Sequence, residues 1–331
     1  MKKAAIVMMA LVLTFVLAAC GQSNNNGTNN GGNGGNTTNN ATQGSGNAGG
    51  NAENEGNAGA NEGNAASELS GSIIASGSSA LQPLVDQASR KFMDENPGVT
   101  IQVQGGGSGT GLAQVSEKQV DIGNSDVYAE EKLDADKAAE LVDHQVAVVA
   151  MAAVVNPEVT VDNLTKQQLI DIFSGNVTNW SEVGGQDQAI QIVNRPSSSG
   201  TRATFETYAL GMKTEDLQGS IQEDSSGTVR KLVGETPGAI GYLALSYLDD
   251  SVKTLQYDGV DATEENVANG TYPIWAYEHM YTNGEPNEVV AAFLEFMMSP
   301  DVQEDDVVEL GYIPSSLMQI ERDQGGNVTE K

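Results

Sequence analysis

The sequence predicts an α/β protein whose sheets are mainly parallel. From about residue 70 onward, segments with the alternation of strands are followed by segments with the periodicity of helices, an order typical of βαβ units. Residues 144–155 form a continuous apolar run rich in valine, which is typical of a strand covered on both faces. No segment of about 20–50 residues recurs along the chain, so a solenoid is not expected.

The N-terminus has the pattern of a bacterial lipoprotein signal. Lys2 and Lys3 precede an apolar stretch over residues 6–17, which is too short for a lasting membrane span. The stretch ends in LAACG, which resembles the lipobox, where the cysteine is diacylated and becomes the first mature residue. We therefore predict a signal peptide over residues 1–19 and a lipid on Cys20, the single cysteine of the chain. An ordinary signal peptide with a chance cysteine is the alternative.

Residues 20–68 are predicted to be a disordered tether that begins with the lipidated cysteine. Between residues 21 and 66 the chain is almost only Asn, Gly, Ala, Ser, Thr and a few Glu, with no aliphatic residue larger than alanine. Such a segment cannot bury enough apolar surface to offset the entropy lost on ordering.

The elements of the folded part follow in order. Helical spacing over residues 81–92 predicts the first helix, with Pro83 in its first turn and Asn96-Pro97-Gly98 as its end. A strand at 99–104, a glycine-rich turn at 105–109, a helix near 112–118 and a strand at 120–123 come next. After the buried strand, the pattern predicts a helix from the capping box at 165–168 to 173, a strand at 189–194, helices at 201–210 and 226–233, a strand at 238–243, and helices at 288–298 and 300–310.

Charge and composition exclude several classes of function. The formal net charge is -29, which argues against binding to nucleic acid or to anionic lipid surfaces. The two histidines, His144 and His279, form no cluster typical of a transition-metal site, and we expect structural roles for both. No metal and no cofactor are predicted.

Three segments nevertheless have the composition of an anion site. Each places small hydroxyl and glycine residues between a strand and the start of a helix; they are 75–80 (ASGSSA), 105–110 (GGGSGT) and 197–201 (SSSGT). The first N–H groups of a helix lack partners and carry partial positive charge, so small residues there let an oxyanion approach closely. Arg195 precedes the third segment, and Asn124-Ser125-Asp126 follows the second. The alternative is that these residues are ordinary caps and turns.

Enzymatic motifs are not found around these segments. Residues 105–111 lack the GxGxxG spacing of dinucleotide-binding loops, and no P-loop, GxSxG or SxxK motif is present. A serine hydrolase or phosphatase using Ser108 or Ser199 would need a histidine that the sequence does not place near either.

At these residues the chain is similar to the phosphate-binding lipoproteins of Pst-type ABC importers, and it resembles the firmicute members most. The resemblance covers about 70–320 and rests on motifs in matching order and spacing: GSSALQPL, VQGGGSGTGL, DIGNSDV, FSGNVTNW, NRPSSSGTRATF, TPGAIGYL and YEHMYT. It implies a two-lobed periplasmic-binding-protein fold of type II, with two hinge crossovers near 150–155 and 272–277. Lobe 1 would comprise 69–152 and 274–331, and lobe 2 would comprise 153–273.

The resemblance also implies a set of phosphate contacts. By their match to the family's motifs these are Ser79, Ala80, Ser108, Asp126, Arg195, Ser199, Gly200 and Thr201. Asp126 would accept the proton of the ligand, which phosphate carries and sulfate lacks. Many members have an aspartate two residues after the arginine, where this chain has Ser197. Another group, such as Asp126, would then orient Arg195.

The expected function is therefore capture of inorganic phosphate and its delivery to Pst-type permease subunits with their ATPase, without covalent chemistry. The protein would be lipid-anchored through Cys20 on the outer face of the cytoplasmic membrane of a Gram-positive cell. The alternatives are a receptor for another tetrahedral oxyanion (sulfate, molybdate or tungstate), a serine hydrolase or phosphatase, and a surface adhesin.

Overall fold

A computed structural model of the chain describes residues 69–214 and 220–331. The predicted signal peptide, Cys20 and the tether lie outside the described residues. None of the helices within the described ranges is long and apolar enough to cross a membrane.

The described part consists of short strands and helices in alternation. The strands are β1 (Ser70–Gly77), β2 (Gly98–Gly105), β3 (Ile122–Ser125), β4 (Leu141–Val155), β5 (Asn163–Leu164), β6 (Gln191–Asn194), β7 (Ile221–Gln222), β8 (Ala239–Ala244), β9 (Lys253–Thr254), β10 (Gln256–Tyr257), β11 (Trp275–Asn283), β12 (Ile320–Arg322) and β13 (Val328–Glu330). The α-helices are α1 (Gln82–Glu95), α2 (Ser108–Ser116), α3 (Ala135–Ala138), α4 (Lys166–Phe173), α5 (Gly200–Thr204), α6 (Ser226–Glu235), α7 (Glu264–Ala268), α8 (Glu288–Met297) and α9 (Val307–Glu309). Two π-helical segments, Phe205–Leu210 and Asp301–Asp306, continue α5 and precede α9.

The main sheet runs in the order β2-β1-β3-β11-β4-β8-β6-β7, with β9 also paired to β4. We call β2, β1, β3 and β11 the first half-sheet, and β8, β6 and β7 the second half-sheet. Pairing is parallel within β2-β1-β3 and within β8-β6-β7. It is antiparallel where β11 and β4 join these two groups, and between β9 and β4. This is the predicted α/β architecture with mainly parallel pairing in each half.

Strand β4 joins the two half-sheets. Residues 141–150 pair with β11, whereas residues 151–155 pair with β8. Residues 146–155 are all buried, which explains why this stretch is apolar without alternation. The partner changes between Ala150 and Met151, inside the region where the family resemblance implies the first crossover.

Aromatic side chains pack against one another in both halves of the fold. Phe92 of α1 packs against Phe293 and Phe296 of α8, with ring centroids 5.4 and 5.3 Å apart. In the other half, the ring of Phe205 stacks on Tyr242 of β8 at 4.3 Å. The largest apolar cluster contains buried residues of both halves, and two smaller clusters contain other buried residues.

Two predicted elements next to the candidate site are displaced along the chain. Helix α2 begins at Ser108 rather than near residue 112, because Gly107 adopts φ +87° and ends the turn earlier than the apolar spacing indicates. Strand β3 lies at 122–125 rather than 120–123, since Asn124 and Ser125 are buried and paired in the sheet although they are polar. Asp126 therefore follows directly after the strand.

Candidate anion-binding site

The predicted binding segments meet where β1, β3 and β6 end. Within each half-sheet the carboxyl ends of the parallel strands lie at one edge, which is where ligands bind in open α/β folds. Strand β6 runs in the opposite direction to β1 and β3. Ser79 and Ala80 follow β1, Asp126 follows β3, and Arg195 follows β6. All eight residues predicted to contact the anion are buried here.

Asp126 lies at the centre of the site and is 2% exposed. Its Oδ1 accepts a hydrogen bond from the hydroxyl of Ser78, and its Oδ2 accepts one from Thr201 Oγ1 at 2.9 Å. The Asp126 backbone N–H donates to Ser108 Oγ at 3.0 Å. Thr201 lies on α5, the helix that follows β6 of the second half-sheet along the chain. Its hydrogen bond to the Asp126 carboxylate therefore connects the two half-sheets.

Arg195 is 1% exposed, and its partners among the described residues are uncharged oxygens. Nη2 donates to Ser79 Oγ at 3.1 Å and to the carbonyl oxygen of Asp224, while Nη1 donates to Ser226 Oγ at 3.3 Å. Its Nε has no partner in the described ranges. Burial lowers the pKa of Arg195 from its ordinary value, with Asp126 and Asp224 among the groups that oppose this, but a guanidinium stays charged in proteins.

Asp126, named above as one group that could orient Arg195, is not among its hydrogen-bond partners in the described residues. The carbonyl of Asp224 and the hydroxyls of Ser79 and Ser226 orient the guanidinium instead. Ser197, which stands where the family often has an aspartate, offers its carbonyl to Lys132 Nζ at 2.9 Å.

The backbone at Arg195 is held by the preceding residue. Asn194 Oδ1 accepts the Arg195 N–H at 2.8 Å and the hydroxyl of Tyr242 at 2.5 Å. The Arg195 carbonyl accepts from Arg202 Nη1 at 2.6 Å. These bonds restrict where the guanidinium can point.

Some groups of the site already have hydrogen-bond partners at the start of helices. Ser78 Oγ accepts the N–H groups of Ala80 and Leu81 at 3.0 and 3.1 Å, so the Ala80 amide is already engaged. Ser199 is the N-cap of α5 and accepts the Arg202 N–H at 3.2 Å. A capping hydroxyl keeps its own proton, so Ser199 can still donate to an anion.

The loops approach each other so closely that only glycine fits at one point. A Cβ on Gly200 would lie 2.1 Å from Ser108 Oγ and 3.0 Å from Asp126 Cβ. Next to it, the Gly109 N–H donates to the Ser198 carbonyl at 2.8 Å. The second and third predicted loops are therefore in direct contact.

Sequence reasoning missed Ser78, Asp224 and Ser226. For Ser226 a signal was present, since SSGT occurs twice, at 198–201 and at 225–228, and the second copy opens α6 with Ser225 as N-cap. The hydroxyl of Ser78 could not be distinguished from that of Ser79 by pattern alone. The Asp224 contribution is a backbone carbonyl, which leaves no trace in residue type.

The two histidines lie outside the site. His279 is buried, and its Nδ1 is 2.8 Å from Asp143 Oδ1; His144 Nε2 lies 3.3 Å from Thr282 Oγ1. Within the described residues, no group of three or more His, Cys, Asp or Glu side chains could hold a metal ion. Both histidines thus have the structural contacts expected of them.

Comparisons with known proteins give a consistent family. The PBP superfamily domain matches residues 51–301. The phosphate-binding protein PstS of Bacillus subtilis is 58% identical over 258 residues, covering 78% of this chain and 85% of the relative. PstS of Pseudomonas aeruginosa is 30% identical over 278 residues, covering 75% and 84%.

Solved structures agree with these relatives. A phosphate ABC transporter substrate-binding protein structure from Clostridium perfringens, with bound phosphate, is 32% identical, with TM-score 0.69 over 74% of this chain and 99% of that one. An ABC-type phosphate transport receptor from Vibrio cholerae is 30% identical, with TM-score 0.59 over 73% and 99%.

Proposed function

The chain belongs to the PBP superfamily and, within it, to the phosphate-binding proteins of ABC transporters, and from this premise we infer how it works as a receptor. It is a substrate-binding protein that captures phosphate for such a transporter. The proposal concerns which residues hold the anion, how the two lobes enclose it, and how the protein is attached and unloaded.

The observation that carries the proposed site is the burial of Arg195 among uncharged partners, with its Nε unpaired in the described ranges. A buried charge is costly unless a counter-charge accompanies it, and a guanidinium binds tetrahedral oxyanions through several N–H groups at once. Phosphate would supply the missing counter-charge. The other proposed donors are the hydroxyls of Ser108 and Ser199 and the amides of Gly200 and Thr201. Ser79 and Ala80 are proposed as further contacts, although the Ser79 hydroxyl and the Ala80 amide already have partners.

Asp126 is proposed to select phosphate over sulfate. Phosphate near neutral pH retains at least one proton, which the buried carboxylate can accept. Sulfate retains none, so two acceptors would face each other in a low-dielectric site, at a cost of several kcal/mol. An acidic residue in an anion site therefore acts as a filter for the protonated ligand.

Two lobes would close over the anion by bending at the hinge. We assign 69–152 and 274–331 to lobe 1 and 153–273 to lobe 2. The change of β4 partner after Ala150 and the start of β11 at Trp275 support these boundaries. The bonds from Gly109 to Ser198 and from Thr201 to Asp126 would hold the closed form and break on opening.

The attachment is proposed from the N-terminal pattern. A lipid on Cys20 would anchor the protein at the outer face of the cytoplasmic membrane, and residues 21–68 would let the binding domain reach the permease. The permease subunits and their ATPase would drive release and uptake. The receptor itself would catalyse no covalent step, in keeping with relatives that are named as binding proteins.

Isothermal titration of the chain from residue 21 onward would test the function. The protein is unfolded and refolded to remove bound anion, then titrated with phosphate, sulfate and molybdate at about pH 5 and about pH 8. One-to-one phosphate binding, with sulfate silent at both values, is expected. Tighter binding of sulfate or molybdate would leave the fold in place and overturn the ligand; no binding of any anion would favour an adhesin.

A further inference from the structure

Glu278 is a buried carboxyl group that the proposed anion contacts do not use. It lies on β11, which is antiparallel to β3 with His279 opposite Ser125, so the next opposed pair in this register is Glu278 and Asp126. Glu278 is 0% exposed. The pairing of β11 with β4 is irregular between Glu278 and His279, as is common where a strand directs a side chain toward a functional site.

Neither carboxyl oxygen of Glu278 has a hydrogen-bond partner among the described residues. An ionised carboxylate buried without donors would be strongly unfavourable. The side chain within hydrogen-bonding reach is that of Asp126, which is also an acceptor when ionised. A hydrogen bond between the two therefore exists only if one of them carries a proton.

The surroundings favour a proton on Glu278. Burial, and then the charge of Asp126, raise the pKa of Glu278 well above its ordinary value. Asp126 faces it from the end of β3, and Tyr312 is the other titratable group close to it, but the Tyr312 hydroxyl donates to the Ala80 carbonyl at 2.5 Å. The residue opposite Glu278 on β4 is Ala147, which carries no charge.

The neighbouring histidine does not contribute to this pair. His279 stacks on Tyr281 and contacts Tyr277 edge-on, so residues 277, 279 and 281 share the opposite face of β11. On that face its imidazole pairs with Asp143.

We propose that Glu278 is a specificity-determining residue of the phosphate site, whose neutral carboxyl donates a hydrogen bond to Asp126 and keeps Asp126 as an acceptor for the ligand's proton. This inference rests on the proposed function. A carboxylate offers about four acceptor positions. Ser78 and Thr201 occupy one on each oxygen of Asp126, Glu278 takes a third, and the fourth remains for the P–O–H group of phosphate.

The protonation of Glu278 also sets the charge that phosphate meets. With Glu278 neutral, the anion faces one carboxylate and the guanidinium of Arg195. With Glu278 ionised, the anion would face two carboxylates, and Asp126 would lose a donor. Phosphate affinity should consequently fall at alkaline pH as Glu278 loses its proton.

Two substitutions separate the donor from the charge. Glu278→Gln keeps a donor toward Asp126 and cannot ionise, so phosphate affinity at about pH 7 should stay within about threefold of the native chain and should not show the native weakening toward about pH 9. Glu278→Met keeps the size but removes the donor, so phosphate should bind at least about tenfold more weakly and sulfate exclusion should relax. Glu321→Met, on the exposed face of β12, is the control and should match the native chain.

Calorimetry of the chain from residue 21 onward, with phosphate and sulfate, measures these effects. Infrared difference spectra of the unliganded native chain against Glu278→Gln give a readout independent of binding, since the carbonyl band of a protonated carboxyl group should be present only in the native chain. Absence of that band at neutral pH, native-like phosphate binding by Glu278→Met, or a loss of more than about tenfold in Glu278→Gln would each overturn the proposal. If the native chain bound no phosphate, the proposed function would fall, and the infrared band would still decide whether Glu278 is protonated.

Discussion

The hydroxyl of Thr201 donates to Oδ2 of Asp126 at 2.9 Å. This hydrogen bond connects α5, which follows β6 of the second half-sheet, to the end of β3 in the first half-sheet. The carboxylate is thus both a link between the two halves and the acceptor proposed to recognise phosphate. Its replacement should separate these two roles.

Asp126→Asn should relax the exclusion of sulfate. The amide keeps the size of the side chain and offers N–H donors in place of an acceptor, so a fully deprotonated oxyanion no longer meets an unpaired acceptor. We expect the ratio of phosphate to sulfate affinity, measured by calorimetry, to drop at least about tenfold. Unchanged rejection of sulfate would refute the filter.

Arg195→Ala should weaken phosphate binding by more than about tenfold, because it removes the cation enclosed with the anion. Arg195→Lys should recover only part of the affinity, since an ammonium cannot reproduce the forked geometry. Arg230→Ala, which loses a half-exposed ion pair with Asp249, is the matched control and should bind as the native chain does. A loss of less than tenfold for Arg195→Ala would remove this residue from the proposed site.

Gly200→Ala should impair closure, because the added Cβ would lie 2.1 Å from Ser108 Oγ. Phosphate affinity should fall at least about tenfold. Gly227 occupies the same place in the second SSGT segment, and there a Cβ would come no closer than 3.7 Å to Tyr247. Gly227→Ala should therefore leave binding unchanged; equal effects of the two substitutions would contradict the steric argument.

Phe205→Ala should destabilise the fold rather than remove an anion contact. The ring stacks on Tyr242 at 4.3 Å and is fully buried, so its deletion should lower the free energy of unfolding by about 3–5 kcal/mol in urea titrations. Val308→Ala, at a side chain 44% exposed, should change it by less than about 0.5 kcal/mol. A small effect of Phe205→Ala would mean that the core can collapse around the gap.

Glu278→Gln should change how stability depends on pH. Since the folded-state pKa of Glu278 is raised, the native state holds a proton that the unfolded chain releases above about pH 4.3. The stabilisation is complete below that value and is lost as the pH rises toward the folded-state pKa, by at most about 1.4 kcal/mol per pH unit. Urea unfolding of the unliganded chain should show the native protein losing stability relative to Glu278→Gln as the pH rises above about 4.3. A difference that does not vary with pH would mean that folding leaves the pKa of Glu278 unchanged.

Patterns of residue type predicted the fold well where burial is one-sided or complete. The run at 144–155 and the capping box at Thr165 are examples, since β4 and α4 have those bounds to within a few residues. The predicted bounds of α2 and β3 are displaced by a few residues from the observed ones. Glycines and polar residues determine where these two elements begin and end, and the spacing of apolar residues carries no information about them.

The part of the candidate site that side chains form could be predicted from residue type. Arg195, Asp126 and Ser108 come together as expected. What orients Arg195 could not be predicted, because the Asp224 carbonyl belongs to the main chain. The opposition of Glu278 to Asp126 depends on the register between β11 and β3, which follows from the assembled sheet and not from either segment alone.

Strand β4 gives its first ten residues to one half-sheet and its last five to the other, and the largest apolar cluster includes buried residues of both. Neither half can complete its sheet without this strand, so neither constitutes an autonomous folding unit. The binding domain should accordingly melt in one cooperative transition, and a protease that nicks a surface loop should not liberate a folded lobe. The proposed hinge motion would in that sense be the flexing of one folded body.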